Sequence, residues 1–364
     1  MNTATQRIHK KFAKIKRDPL LTAKAAGLQY VSDTMPGWTR KLRGENLLCV
    51  DDHGKRCTDK ATLERVRRMA LPPAWQNVWI CASADGHLQA TGSDAKGRKQ
   101  YRYHTAWNQM RSHTKYYRLP QFAEALPLIR ERTGRDLKLP GFPYEKVLAM
   151  AVSIMEQTNI RVGNEAYKKL YGSFGLTTLQ DKHVRIEGDQ IKFRFKGKKG
   201  VHHDISLNSR KLARLVQQSK DIPGKELFQY YDGQGNHRSI GSGDVNAYLK
   251  EIAGTGFTAK DFRTWSGTVA VFRALRGMGV CASATEAKRN ALAAIDEVAR
   301  QLGNTRTVCR KYYIHPAIVM AYEQGELQGY FNQTGEAPRE KDWLSDEEKM
   351  VKNVLENFAW QLDG

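Results

Sequence analysis

The spacing of apolar residues changes period several times along the 364 residues of the chain. Between Gly27 and His104 it is short and strand-like. Trp38–Arg43, Leu47–Val50, Val78–Cys81 and His87–Thr91 are brief segments set off by Gly and Asp, which predicts strands joined by turns. Thr58, ahead of Leu63, Val66 and Met69 and followed by Pro72-Pro73, predicts one helix among them. From Trp107 the pattern is mostly helical. Val147, Leu148, Ala151, Ile154 and Met155 form a stripe that predicts a helix over Tyr144–Thr158, then a turn at Asn159–Asn164 and a second helix through Tyr167 and Leu170.

Residues 184–207 return to period two: Val184/Ile186, then Ile191/Phe193/Phe195, then Val201/His203/Ile205/Leu207. This predicts a three-stranded antiparallel sheet whose second turn is Lys196-Gly-Lys-Lys-Gly200. Helices are expected again over Ser209–Ser219, over Ser242–Ala253 and from Thr258, where Asp261 makes an imperfect capping box. Ser283-Ala-Thr-Glu286 opens a helix running to Leu302, with Leu292, Ile295, Val298 and Leu302 inward. Ser345-Asp-Glu-Glu348 repeats the device before Val351, Val354, Leu355 and Phe358. The expected class is α+β, with a small β-rich domain over residues 25–106 and a larger, mostly helical domain over 107–335. A basic arm over 1–24 and an acidic helical tail over 336–364 flank them.

Charge narrows the partners. The chain carries 59 Lys and Arg against 38 Asp and Glu, a formal +21. Met1–Glu145 has 27 basic and 13 acidic residues and Lys146–Gly335 has 28 and 17, whereas Glu336–Gly364 has 4 and 8. A positive excess spread over two domains points to a large polyanion, with nucleic acid favoured over a membrane surface. The five cysteines are odd in number and show no CxxC pair, which argues against a disulfide framework or a structural zinc site and for a reducing cytoplasm. No apolar run approaches the roughly 20 residues needed to span a bilayer, and the first 24 residues lack a signal-peptide apolar core.

Several stretches carry candidate chemistry. Asn304–Pro316 puts Tyr312 and Tyr313 beside Arg310 and Lys311. A phenol can attack phosphorus, and nearby cations favour its phenolate, which otherwise forms only near pH ~10. Alone, the stretch reads more simply as a pair of tyrosines half-buried at a helix end. Arg161 sits in a helix–helix turn and Lys198 at a hairpin tip, positions that suit either a solvated charge or a side chain reaching into a groove. In Gly97–His104, Arg98, Lys99 and Arg102 can hold phosphates, Gln100 can read a base edge, and Tyr101 and Tyr103 share one face of a strand. Gly92 and Gly97 have P-loop spacing, but no Lys-Ser/Thr follows, which rejects a nucleotide cradle there. His202, His203 and Asp204 alternate faces on a strand and make no clean metal-ligand set.

Four boxes therefore stand in order: Asn159-Ile-Arg161-Val-Gly-Asn164, Phe195-Lys-Gly-Lys198-Lys-Gly200, Lys260-Asp-Phe-Arg263-Thr-Trp265 and Asn304 through Tyr313-Ile-His-Pro316. Together they resemble the Arg–Lys–Arg–His/Asn–Tyr constellation of type IB DNA topoisomerases, in the compact poxvirus-type branch that bacteria also carry. Pro36-Gly-Trp-Thr-Arg40, Leu71-Pro-Pro-Ala-Trp75 and Gly97-Arg-Lys-Gln-Tyr101 are similar to that branch too.

The resemblance implies the tyrosine recombinase/type IB topoisomerase catalytic fold and two domains closing as a clamp on duplex DNA. It implies Tyr313 as nucleophile, chosen over Tyr312 because it directly precedes Ile-His-Pro, with a 3′-phosphotyrosyl intermediate. Arg161 and Arg263 would hold the non-bridging oxygens, and Lys198 would protonate the departing 5′ oxygen. Asn304 stands where poxviral members have His; it would donate a hydrogen bond without a full charge. Arg98, Lys99, Gln100, Tyr101 and Tyr103 would contact DNA. Relaxation of positive and negative supercoils and religation would need neither ATP nor a protein-held metal, with divalent ions at most stimulatory. A monomeric, nucleoid-associated cytoplasmic enzyme is the corresponding expectation. Two other readings use many of the same residues. A site-specific tyrosine recombinase shares the chemistry, although its second arginine box usually shows His-x-x-Arg where this chain has Lys260-Asp-Phe-Arg263. A non-catalytic architectural DNA binder would keep the fold alone.

Overall fold

A computed structural model describes residues 18–43, 46–51, 53–95, 97–254, 256–331 and 343–359, the side chains of 42, 43, 46, 47 and 112–114 excepted. Most of the expected basic arm, with Arg7, Lys10, Lys11, Lys14, Lys16 and Arg17, lies outside the described residues, as do 336–342 and 360–364 of the tail. Two compact units divide between Arg118 and Leu119.

In the smaller unit, α1 (Pro19–Ala25) starts on Asp18, whose carboxylate accepts from the Leu20 and Leu21 N–H groups. Five antiparallel strands follow: β1 (Gly37–Arg43), β2 (Asn46–Val50), β3 (Gln76–Cys81), β4 (Leu88–Ser93) and β5 (Lys99–Tyr103), in the order β2-β1-β3-β4-β5. Helix α2 (Lys60–Arg68) covers one face, over a core of Cys49, Cys57, Val66, Val78, Ile80 and Ala90. Its cap is Asp59, one residue after the Thr58 expected, because the Asp59 carboxylate accepts from Thr62 N–H at 2.8 Å. Arg65 pins the helix to the sheet, donating to the Cys81 carbonyl at 2.7 Å and to Gln89 Oε1 at 2.5 Å. Two of the family-like stretches prove to be one structural clamp. Arg40 donates to the carbonyls of Leu71, Pro72, Pro73 and Trp75, which holds the Leu-Pro-Pro-Ala-Trp loop against β1.

Helix α3 (Thr105–Tyr116) lies within this unit, past the division expected after residue 106. Trp107 is the reason. It is buried beside Ala23 and Leu28 and meets His87 edge-on at 4.4 Å, so its helix belongs to the smaller core.

The larger unit is organised around α5 (Tyr144–Thr158), which follows α4 (Leu119–Asp136). Ten of its fifteen residues are buried, so it is an interior helix rather than a surface one. After α6 (Glu165–Tyr171) come β6 (Val184–Glu187), β7 (Gln190–Lys196) and β8 (His202–Asn208), an antiparallel sheet in chain order. Then follow α7 (Arg210–Lys220), α8 (Ser242–Ala253), α9 (Ala259–Met278), α10 (Ala284–Gln301), α11 (Arg306–Tyr312), α12 (Pro316–Glu323), α13 (Gln328–Phe331) and α14 (Asp346–Asn357). The small hairpin β9 (Gln229–Tyr231) and β10 (His237–Ser239) was not anticipated; three-residue strands are too short to show a period. Leu292 on α10 is 39% exposed, against expectation. Ala287, Ala291, Ala294, Ile295 and Val298 form the inward stripe, and Leu292 falls one position off it.

The described part of the acidic tail, residues 343–359, is part of this unit. The Ser345–Glu348 capping box forms, and Val351, Val354, Leu355 and Phe358 are buried. Glu348 also leaves its own helix. Its carboxylate receives a two-pronged donation from Arg130 of α4 at 2.7 and 2.8 Å and the indole N–H of Trp265 of α9 at 2.9 Å. Arg130 donates as well to Glu156 of α5 at 2.7 Å. One guanidinium thus joins three helices. Burial works to raise the Glu348 carboxyl, and Arg130 outweighs it, holding the group below the usual carboxylate range. Glu348→Ala leaves Arg130 its Glu156 partner but takes the acceptor from the Trp265 indole N–H and from two donors of the guanidinium. It should therefore destabilise the larger unit by about 1–3 kcal/mol, read from urea unfolding followed by Trp fluorescence.

Candidate active site

The Arg161 turn is built by its neighbours. Helix α5 ends at Asn159, which adopts the left-handed conformation (φ 58°) that Asn tolerates, while its N–H still bonds the Met155 carbonyl. Beyond it the Arg161 carbonyl accepts from Leu176 N–H and the Val162 carbonyl from Thr177 N–H, each at 2.8 Å. Gly163 (φ 97°) allows this close pairing: a Cβ on the facing Gly175 would come within 2.5 Å of Gly163 Cα. Asn164 then caps α6 by accepting from Tyr167 N–H. The whole box is a mount for one arginine.

Arg263 lies in the second turn of α9, with Asp261 accepting from the Thr258 N–H and hydroxyl to fix the helix start. Arg263 is only 4% exposed, which is rare for arginine. It donates to the Asn159 carbonyl and, at 2.8 Å, to the Leu302 carbonyl, and its guanidinium carbon stands 5.0 Å from the centre of the Tyr313 ring. Burial, then the neighbouring charge of Arg161, brings its pKa down to about 10, so it remains a cation at neutral pH. Its Nε is buried with no partner among the described residues.

Asn304 joins the group through its own amide. Its Oδ1 accepts from Arg161 at 2.7 Å, and its Nδ2 donates to the Leu302 carbonyl at 3.3 Å. Tyr313 follows α11 directly, its N–H bonded to the Cys309 carbonyl at 2.8 Å. The chain after it is fixed just as firmly. Ile314 is buried, His315 N–H donates to Thr268 Oγ1 at 3.0 Å, and the His315 ring caps α12 through Ala317 N–H ahead of Pro316. Gly267 lets α9 approach: a Cβ there would lie 2.6 Å from the Tyr313 carbonyl oxygen. Helix α9 thus sets both Arg263 and the tyrosine segment.

The two tyrosines part here. Tyr312 is exposed, with the Lys311 amine 5.6 Å from its ring, whereas Tyr313 is half-buried against Arg263. Burial alone would raise the Tyr313 phenol. The charges of Arg263 and Arg161, a hydrogen bond from Arg263 and the charge of Lys260 outweigh it, so the phenol lies below the ordinary tyrosine value. Lys198 stands at the tip between β7 and β8, just before Lys199 in the left-handed region (φ 62°), and lines one pocket with Arg161 and Arg263. The structure therefore gathers Arg161, Arg263, Asn304 and Tyr313, with Lys198 at the rim. Lys260 and His203 also belong to this place. The sequence reading gave Lys260 no role and weighed His203 only as a metal ligand.

Residues 104–339 match the model described as "Eukaryotic DNA topoisomerase I, catalytic core", and residues 49–94 match "Bacterial DNA topoisomerase IB, N-terminal domain". A mimivirus protein named DNA topoisomerase 1B is 32% identical over 288 residues, covering 77% of this chain and 85% of that protein. The chain belongs to the type IB DNA topoisomerase family. The vaccinia DNA topoisomerase 1B and the monkeypox DNA topoisomerase I are each 23% identical over 230 residues, 63% of this chain and 70% of each relative.

As a type IB topoisomerase the chain acts on DNA, and among the described residues no helix is long and apolar enough to cross a membrane. The candidate DNA contacts of the smaller unit are held by acids. Asp94 pairs with Arg98 at 2.5 Å and accepts from Gln100 at 3.0 Å, and Asp33 pairs with Lys99 at 2.5 Å. Tyr101 and Tyr103 stack at 5.9 Å with planes 7° apart, as their shared strand face requires. In the larger unit, the Tyr313 environment gives a direct expectation. Arg263→Gln removes the largest charge opposing burial, so the Tyr313 phenol should titrate at higher pH than in the wild type. Ultraviolet difference titration against the Tyr313→Phe protein reads the change.

Proposed function

We propose that the protein nicks one strand of duplex DNA by attack of the Tyr313 phenol oxygen on a backbone phosphorus. The bond to the 5′ oxygen breaks, a 3′-phosphotyrosyl link forms, supercoils of either sign relax, and the freed 5′ hydroxyl reverses the step. The observation that carries this reading is the half-buried Tyr313 phenol set against the buried Arg263 guanidinium, with its acidity strengthened by fixed cations.

The roles follow from charge. In the five-coordinate transition state negative charge gathers on the non-bridging oxygens, and guanidinium groups answer it with paired N–H donors. Arg263 is locked by two backbone carbonyls and keeps its buried Nε for such an oxygen; Arg161, steadied by Asn304, offers the second donor set. Asn304 holds Arg161 and directs its amide N–H to the same group. Lys198, on the hairpin tip, protonates the poor alkoxide leaving group. These cations take the charge that bound metal ions take in other phosphoryl-transfer sites, so catalysis proceeds without an obligatory metal. The phosphotyrosine keeps the energy of the broken diester, so resealing proceeds without ATP.

In the smaller unit, Arg98, Lys99 and Gln100 exchange their carboxylate partners for phosphates and base edges, and Tyr101 and Tyr103 present their stacked faces to the groove. The protein works on duplex DNA as a monomer.

Supercoiled plasmid with EDTA and no nucleotide is the test. Wild-type protein should relax it at any sequence, and a denaturant quench should leave the adduct on Tyr313. A fully coiled plasmid, an adduct elsewhere, or dependence on paired specific sites would overturn the reading, the last in favour of a recombinase. Tyr313→Phe should bind DNA and relax none; a wild-type protein whose effects on plasmid are no greater than those of Tyr313→Phe would leave only an architectural role. Arg161→Ala and Arg263→Ala should each lose roughly 10²–10³-fold in single-turnover cleavage. In salt titrations of binding, Arg98→Ala and Lys99→Ala should each lower the slope of log K against log [salt] by about 1.

A further inference from the structure

His203 of β8 has no part in the chemistry above, yet it is seated between the residues that immediately precede two of the groups that do. On one side is Gly197, the neighbour of Lys198: a Cβ there would stand 2.6 Å from the imidazole Cδ2. On the other is Gly303, the neighbour of Asn304, with φ 60°: a Cβ there would stand 2.7 Å from the imidazole Cε1. Both glycines therefore let the ring touch bare backbone. Its third side stacks on Phe195, the residue opposite it in the β7–β8 ladder, at 5.0 Å and 24°. The ring also lines the pocket that holds Arg161, Lys198 and Arg263.

We infer that His203 is a positioning residue, a spacer that fixes the Lys198 hairpin tip against the Asn304 segment so that the lysine amine reaches the departing 5′ oxygen. The inference rests on the proposed function, in which Lys198 supplies that proton. The argument is mechanical. A two-stranded tip is free to hinge unless something packs against it, and an amine on a long flexible stem gains its reach only from a fixed base. Here the base of the stem is Gly197–Lys198, and the imidazole bears on it from the side of Asn304. Burial first, then the charges of Arg161 and Arg263, push the imidazole below its usual value, so the spacer is neutral and adds no further cation to the pocket.

The test separates proton delivery from every other function of the site. Single-turnover cleavage is measured on two duplexes that differ at one atom: the bridging 5′ oxygen, or a sulfur in its place. Attack by Tyr313 breaks P–O in one and P–S in the other. The alkoxide must take a proton as it leaves, whereas a thiolate, whose acid has a pKa of about 8.5, departs without one. His203→Ala should slow the oxygen substrate by about 10²-fold, the cost of a misplacement of order 1 Å, and cleave the sulfur substrate at the wild-type rate. Gly197→Ala leaves the imidazole in the chain and pushes it aside with one methyl group; it should give the same pattern, and it carries the test if His203→Ala does not fold.

A wild-type rate on the oxygen substrate, or equal slowing of both substrates, overturns the inference. Lys198→Ala is the control for the underlying reading: if sulfur does not restore its rate, or if Tyr313→Phe still forms an adduct, the proposed chemistry falls rather than the role of His203.

Discussion

A single buried guanidinium holds the larger unit's chemistry in register. Arg263 bonds the carbonyl that closes the Arg161 turn, the carbonyl two residues before Asn304, and packs on the ring of Tyr313. Burying an arginine is costly unless its donors are met, and here two of them are met by main chain rather than by a carboxylate. That choice matters. A carboxylate partner would cancel the charge that lowers the Tyr313 phenol, whereas carbonyl partners fix the group and leave its charge in place. The cost is offset elsewhere, by an interior α5, by the Thr258–Asp261 cap of α9, and by Glu348, which bonds Trp265 two residues from Arg263.

Much of the fold was legible because the local causes are local. Tyr144–Thr158 and Ser242–Ala253 are helices with the bounds expected of them. The Ser345 box marked a real helix start, and period two correctly placed β6, β7 and β8. The misses have equally local causes. A leucine is not inward merely because it is apolar: Leu292 falls beside the stripe of Ala287, Ala291, Ala294, Ile295 and Val298 that faces the core. The β9–β10 hairpin is too short for periodicity, and Trp107 drew its helix into the smaller unit through aromatic contacts that sequence spacing does not display.

The site was legible in a different way. Its boxes named Arg161, Lys198, Arg263, Asn304 and Tyr313, but the reasons for their spacing appear only in three dimensions. Asn159 serves a left-handed residue, Gly163 a close approach to Gly175, and Gly197 and Gly303 the two sides of one imidazole. Sequence alone shows four unexplained small or turn-forming residues; that two of them face the same ring depends on the fold bringing β8 beside the end of α10. Arginine is ordinarily a surface residue, so the burial of Arg263 had no precedent in its composition or period.

Gly267 carries a last consequence. Because α9 meets the tyrosine segment through bare backbone there, the offset between phenol and guanidinium is dictated by main-chain contact and not by an adjustable side chain. A cushion of methylenes would have tolerated drift of several tenths of an ångström; a hydrogen against a carbonyl oxygen does not. Tyr313 is in effect machined to the helix that carries Arg263, and a change at that seam must move main chain, whereas a change at an exposed neighbour such as Tyr312 need not.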